Sequence, residues 1–119
     1  MLNNIIIMGR LVRDPELKTV NDQTVANFTI ACDREGGRDA QADFVDCAAW
    51  RGTAEVVKKY CVKGDLVIVT GRLQSRKWED RDGNKRTAWE ISTFRVDFPG
   101  GNRRKEEAAP AGKEDELPF

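Results

Sequence analysis

Three aromatic residues stand among charges in a way that could do binding chemistry. In the stretch "DFVDCAAW", Phe44 and Trp50 stand six positions apart, with Asp46 between them. A strand places alternate residues on one face. Val45, Cys47 and Ala49 are then the expected core face, and Phe44, Asp46, Ala48 and Trp50 share the opposite one. Two large aromatics on the wet side of a sheet make a stacking platform, an oligomer contact or packing under a loop. The second group is "GRLQSRKWEDRDGNKRTAW". Between Gly71 and Thr87 it holds six basic residues (Arg72, Arg76, Lys77, Arg81, Lys85, Arg86) and three acids (Glu79, Asp80, Asp82), with Trp78 beside Arg76 and Lys77. A flat ring beside cations suits a single nucleic-acid strand. Every base has a π-face, so stacking is tolerant of sequence and contributes about 1–3 kcal/mol per base, while the cations supply a salt-dependent term. A solvated hairpin of ordinary mixed charge is the competing explanation. Trp89, near the hairpin's base, suits either surface or core.

Other chemistries find little support. The 119 residues contain no histidine, which removes Ser-His and Cys-His catalysis and most metal hydrolases. Cys32, Cys47 and Cys61 are odd in number and form no CxxC, so they read as reduced, buried small hydrophobes. No zinc site is expected from three thiols alone, no P-loop is present, and no cofactor is implied. A nuclease holding Mg²⁺ on Asp43, Asp46 and Glu90 is conceivable, but these acids lack motif-like spacing. "IIIM" is too short for a signal peptide or a membrane span, so a cytoplasmic protein with no membrane partner is expected. Of the 20 basic and 20 acidic side chains, 4 and 5 fall in residues 99–119, leaving 16 and 15 for the body. Net charge therefore says nothing about nucleic acid, and clustering must.

The length supports one domain, over residues 1–98. "NNIIIMG" opens as a strand that is apolar on both faces, Ile5 and Ile7 one way, Ile6 and Met8 the other. A barrel covers one face and a second subunit could cover the other. Gly9 suits a bend or bulge, and "RDPEL" reads as a turn. "TVANFTIACD" alternates, with Ala26, Phe28, Ile30 and Cys32 inward. "TAEVVKKYCVKG" reads as a short helix. Thr53 is its expected N-cap, Glu55 suits its positive end, and Lys58 and Lys59 suit its negative end. Ala54, Val57, Tyr60 and Cys61 form the buried stripe, and Gly64 is the stop. In "DLVIVTGRLQSRKW", Val67, Val69 and Leu73 are expected inward, and Leu66 and Ile68 outward at a subunit interface. Asp82-Gly83 is a hairpin turn, and "RTAWEISTFRVDF" returns as the last strand. Five strands with one helix between the third and fourth match the all-β, Greek-key OB-fold barrel.

Beyond residue 98 the apolar content is too low to fold. Residues 99–113 read as a disordered linker and Glu114-Asp115-Glu116-Leu117-Pro118-Phe119 as an acidic tip with an apolar hook.

Taken together, "MLNNIIIMGRLVRDPEL", "TVANFTIA", "DFVDCAAWRGTAEVVKKY", "KGDLVIVTGRLQSRKWEDRDG" and "EDELPF" resemble the bacterial single-stranded DNA-binding (SSB) proteins, in their Gram-positive and phage form. The resemblance covers nearly the whole chain. It implies an OB-fold homotetramer that wraps single-stranded DNA without sequence preference during replication, recombination and repair, with nucleoid association and no catalysis. The family's stacking aromatics fall on Phe44, Trp50 and Trp78. Arg72, Arg76, Lys77, Arg81, Lys85 and Arg86 would follow the backbone, with Arg10 and Arg34 as further candidates. Ile6 and Met8, with Leu66 and Ile68, would face partner subunits. The tip would dock into basic-rimmed apolar pockets on replication, recombination and repair enzymes, its acids pairing with cations and Phe119 anchoring.

Three departures from the family pattern bear on these expectations. Gly36 and Gly37 stand where many members carry an aromatic, which predicts a weaker or smaller footprint per subunit. Asp46 stands where a basic or neutral polar residue is usual and should repel phosphate locally. The linker is short, which limits the tip's reach. An OB-fold accessory of another kind, a primosome component or an RNA binder, would share the barrel but need no acidic Pro-Phe tip. A purely structural oligomer would use the outward aromatics only as contacts.

Overall fold

The computed structural model describes residues 1–35 and 41–100. The Gly36-Gly37 loop and the tip residues Glu114 to Phe119 lie outside these, as does the linker beyond residue 100. Six strands and one helix follow in order: β1 (Ile5–Leu11), β2 (Glu16–Val20), β3 (Gln23–Asp33), β4 (Ala42–Trp50), α1 (Arg51–Tyr60), β5 (Leu66–Glu79) and β6 (Lys85–Asp97). The strands lie in the order β1-β5-β6-β4-β3-β2, and β1 also pairs with β3, so five of them close a ring. The β4–β6 pairing is parallel and the others antiparallel. This is the OB-fold barrel. The sixth strand, β2, is an addition to the five read from the sequence. Pro15 does end the turn, but Glu16 and Leu17 already belong to a short strand paired to β3 through a tight turn at Asn21 and Asp22, both in the left-handed region at φ 51 and 66.

Alternation places the core. Phe28, Ile30, Cys47, Ala49, Val67, Val69 and Ile91 are buried inside the ring, and Ala54, Val57 and Cys61 of the helical segment plug one end. Each large aliphatic side chain buried there contributes roughly 1.5–3 kcal/mol. Ile5, Ile7 and Val45 pack against this core, while Ile6 and Met8 project outward, as the two-faced first strand requires. Leu66 and Ile68 are half-buried on that same outer face, opposite Arg10 and Met8. Leu73 departs from expectation. It has core parity but is exposed, because β5 and β6 have by then run beyond the barrel.

The helix differs at both ends from the sequence reading. It starts at Arg51, directly after β4, with Trp50 as an N-cap that makes no side-chain capping bond. Thr53 is therefore inside the first turn, and its hydroxyl donates to the Phe94 carbonyl of β6 at 3.2 Å. Glu55 falls beyond the first turn, whereas Lys58 and Lys59 do occupy the last. The helix stops at Cys61 rather than Gly64, which turns the chain into β5 at φ +92 and donates its N–H to the Leu11 carbonyl at 2.8 Å. Tyr60 packs edge-on against Phe98 with ring centroids 6.5 Å apart. No helix among the described residues is long and apolar enough to cross a membrane.

Two glycines let the ring close. A Cβ on Gly9 would come within 2.6 Å of the Ala31 carbonyl oxygen, where β1 turns from β5 toward β3. A Cβ on Gly71 would collide with the Ser92 carbonyl at the one irregularity in the β5–β6 ladder, between Thr70 and Gly71. In both cases the obstacle is backbone, which cannot rotate away. Gly71→Ala should therefore cost about 1–3 kcal/mol of overpacking strain. Urea unfolding should show a lowered midpoint at unchanged slope, and an unchanged midpoint would mean the two strands can part freely there.

Candidate nucleic-acid interface

The aromatic strip follows from strand parity. Register pairs Phe44 with Ala31, Asp46 with Thr29 and Glu90, and Trp50 with Val25. On the projecting β5–β6 hairpin, Gln74 lies opposite Glu90, Arg76 opposite Ala88 and Trp78 opposite Arg86. All of these side chains share the barrel's outer face. Phe44 is 70% exposed, Trp78 47% and Trp50 37%. The three aromatics thus mark one continuous surface, with Trp50 the most sheltered. A groove of about 230 Å³ opens beside Asp46, lined by Arg13, Glu16, Lys18, Thr29, Arg76 and Glu90 among others but by none of the three rings.

The strip carries both signs of charge. Arg76 pairs with Glu90 at 3.4 Å, and the Gln74 amide donates to the other Glu90 oxygen at 3.1 Å. Asp46 accepts from the Thr29 hydroxyl at 2.8 Å, and that hydroxyl accepts from Arg13 at 3.3 Å. Arg72 points out beside Ser92 and pairs with no described residue. Asp46 is thus more than a local repulsive charge. It is one of three carboxylates lining the groove with defined partners, beside Glu90 and Glu16, the last of which pairs with Lys18 at 3.3 Å.

The sequence-derived cations divide into groups. Arg72, Arg76 and Arg86 lie on the strip. Lys77 and Lys85 lie on the hairpin's other face, with Trp89, and Arg81 sits in the turn. Arg10 shares the outward face of β1 with Ile6 and Met8 and donates to the Gly64 carbonyl at 3.1 Å. Arg34 is taken up by Asp43, with its Nη2 at 2.7 Å and its Nε at 3.0 and 3.1 Å from the two carboxylate oxygens. That fork holds the Asp43 carboxyl below its ordinary range and the Arg34 guanidinium above its own. Asp43 has the parity opposite to Asp46, so the acids Asp43, Asp46 and Glu90 do not converge on one point.

Sequence reasoning passed over Arg13 and Lys18, because residues 13–17 read as a turn. "ELKTV" offered little signal, since Leu17 and Val20 do not alternate and all five residues are exposed. Trp89, left open, is 60% exposed, so it is not core. Phe94, also exposed, lies across from the β5 irregularity, between Thr93 (paired to Gly71) and Arg95 (paired to Thr70). The thiols behave as expected of small hydrophobes. None of the three is in a disulfide, Cys47 and Cys61 are buried while Cys32 is half-buried, and burial pushes the Cys47 thiol up to about 12.

The hairpin tip is ordered by one residue. The Asp80 side chain accepts from the backbone N–H groups of Asp82 (3.0 Å) and Asn84 (2.9 Å) and from Arg86 (3.0 Å). Gly83, at φ +82, completes the turn through its own N–H to the Asp80 carbonyl.

The outer face of this OB-fold barrel thus carries exposed aromatic rings with cations beside them. Residues 2–99 match the model of the single-strand binding protein family, and the chain belongs to that family. It is 41% identical over 102 residues to a single-stranded DNA-binding protein of Halalkalibacterium halodurans, covering 82% of this chain and 61% of that protein. It is 40% identical to single-stranded DNA-binding protein 1 of Lactococcus lactis (81% and 68% covered) and 37% identical to the Neisseria meningitidis protein of that name (92% and 66%). The chain thus spans about three-fifths of the length of the first of these relatives.

The Arg86 pairing, then the Asn84 N–H, hold the Asp80 carboxyl below its ordinary value of 3.8. A depressed carboxylate contributes order above its ordinary pKa and loses it as pH falls through the lower folded value. Carboxyl-carbon NMR should place the Asp80 midpoint below 3.8. Asp80→Ala should speed amide exchange at Asp82 and Asn84 at neutral pH while leaving the barrel amides protected. Unchanged exchange would show that Gly83 alone holds the turn.

Proposed function

We propose that residues 1–98 bind single-stranded DNA, chiefly by stacking bases on Phe44, Trp50 and Trp78, and that the protein acts in replication, recombination and repair without catalysis of its own. The observation that carries this reading is the placement of these three exposed rings on one outer face, flanked by Arg13, Lys18, Arg72 and Arg76. Membership of the family supports it. Duplex DNA hides its base faces and offers such a strip only phosphates, whereas a single strand offers both.

We further propose that the chain assembles as a homotetramer. Ile6, Met8, Leu66 and Ile68 make an apolar outer face, and β1 pairs with β3 only at Arg10 and Leu11, leaving a free strand edge over Ile5–Gly9. An uncovered apolar edge of that kind favours pairing with another copy. The acidic segment Glu114, Asp115, Glu116, Leu117, Pro118, Phe119 is proposed as the docking peptide for partner enzymes, on the strength of its composition and the family resemblance.

The test is a tryptophan-fluorescence titration with oligo-dT at low and high salt, beside oligo-rU and duplex DNA of equal length. Strong quenching by dT and little by duplex is expected. Trp50→Ala and Trp78→Ala should each weaken binding by about 1–3 kcal/mol. Arg72→Ala should reduce the log–log salt slope by about 0.7. Arg34→Ala should leave that slope unchanged, since Asp43 already occupies its guanidinium. No quenching by dT at low salt would return the aromatics to a contact role.

Sedimentation tests the assembly separately. Met8→Glu should shift the protein to smaller species with an unchanged circular-dichroism spectrum. A mass unaffected by it would place the interface elsewhere.

A further inference from the structure

Asp46 has an odd place on a surface meant for a polyanion. It lies two residues along β4 from Phe44, about 7 Å away on the same face, with Trp50 beyond it. Its position is not left to chance. The Thr29 hydroxyl, itself held by Arg13, donates to Oδ1 at 2.8 Å, while no described residue donates to Oδ2. Glu90, its neighbour across the β4–β6 pairing, differs. Both of its oxygens are taken, by Arg76 and by Gln74. Asp46 is therefore an oriented carboxylate with an acceptor to spare, flanked by exposed rings on its own strand.

Such a group repels phosphate, so it does not serve the backbone. What it can accept from is an N–H on the Watson–Crick edge of an unpaired base. Cytosine presents N4–H₂, adenine N6–H₂, and guanine N2–H₂ with N1–H. Uracil and thymine present only N3–H, set between two carbonyl oxygens that a carboxylate repels. We infer that Asp46 is a specificity-determining residue, and that it biases the strip toward amino-bearing bases over uracil and thymine. The inference rests on the single-strand reading above and refines it. Stacking on the rings is base-tolerant, and the position beside Phe44 is not.

The test compares oligo-dC with oligo-dU, which differ at the C4 substituent and the adjoining N3, in titrations of the full chain and of Asp46→Asn. Removing the charge should tighten both complexes by relieving phosphate repulsion. The informative quantity is the change in the dC/dU affinity ratio, which cancels that shared gain and the strands' own stacking. The ratio should fall about fivefold in Asp46→Asn, the lower part of the range for a good base contact. Glu90→Gln, whose carboxylate is already engaged, should leave the ratio as in the parent chain. An unchanged ratio in Asp46→Asn, with both affinities raised, would overturn the inference and leave Asp46 a purely repulsive charge. An equal fall in Glu90→Gln would overturn it too, since general charge would then explain the effect. Failure of either oligonucleotide to quench the parent chain would instead defeat the single-strand reading, and the inference with it.

Discussion

The structure depends on β1 being shared between two partners. Its first six residues pair with β5, and its last two pair with β3. That handover requires the β1 backbone to pass against the Ala31 carbonyl, which only a residue without a side chain permits, and Gly9 is there. Closure gives the sheet an inside. Once Ile30, Val67, Val69 and Ile91 are sealed within the ring, strand parity obliges the alternate residues to face out. Phe44 and Trp50 are on the surface because the residues alternating with them are needed inside, and the β5–β6 ladder carries the same face out to Trp78, so the candidate interface is in large part a by-product of the barrel's core. Backbone ladders hold it rather than a loop, which keeps its rings at set intervals.

Closure also explains where order thins. Five strands suffice for the ring, and β5 and β6 continue past it as a two-stranded ribbon. A ribbon with no core beneath it needs local devices, and Asp80 supplies them at the tip while Asn3 does so near the root. The Asn3 side chain accepts from the Leu73 N–H and donates to the Leu73 carbonyl, extending the β1–β5 ladder by one step beyond the barrel. The ribbon has two unlike faces in consequence. One carries Arg72, Arg76, Trp78 and Arg86 in line with β4, and the other carries Lys77, Lys85 and Trp89.

Much of this was legible in the chain itself, for reasons that differ by element. The alternation in "TVANFTIACD" and "DFVDCAAW" reports a half-buried strand directly, so the core faces and the outward aromatics could be read without a structure. Other features were illegible because a tertiary neighbour decides them. Thr53 has the chemistry of an N-cap, yet the helix begins two residues earlier and the Phe94 carbonyl takes its hydroxyl. Leu73 has core parity, but no local pattern says where the barrel ends. Lys18 and Arg13 were hidden by Pro15, which reads as the end of order although a strand starts at the next residue. Arg34 was a plausible phosphate ligand by type, and only the β3–β4 register reveals that Asp43 already holds it.

On the proposed reading, the ion pairs decide which force dominates. Arg76 and Arg86 are already neutralised by Glu90 and Asp80, so a phosphate reaching either must displace a carboxylate. What such an exchange gains is only the difference between two ion pairs on arginines that are themselves exposed, where one pair is worth about 1 kcal/mol. Stacking carries no such offset. Three exposed rings at about 1–3 kcal/mol per base outweigh what the paired cations can add. Arg72, which pairs with no described residue, then acts mainly to attract and orient the strand. A barrel whose body is almost neutral can therefore bind a polyanion, provided the polymer's bases are bare, and that condition is what separates a single strand from a duplex.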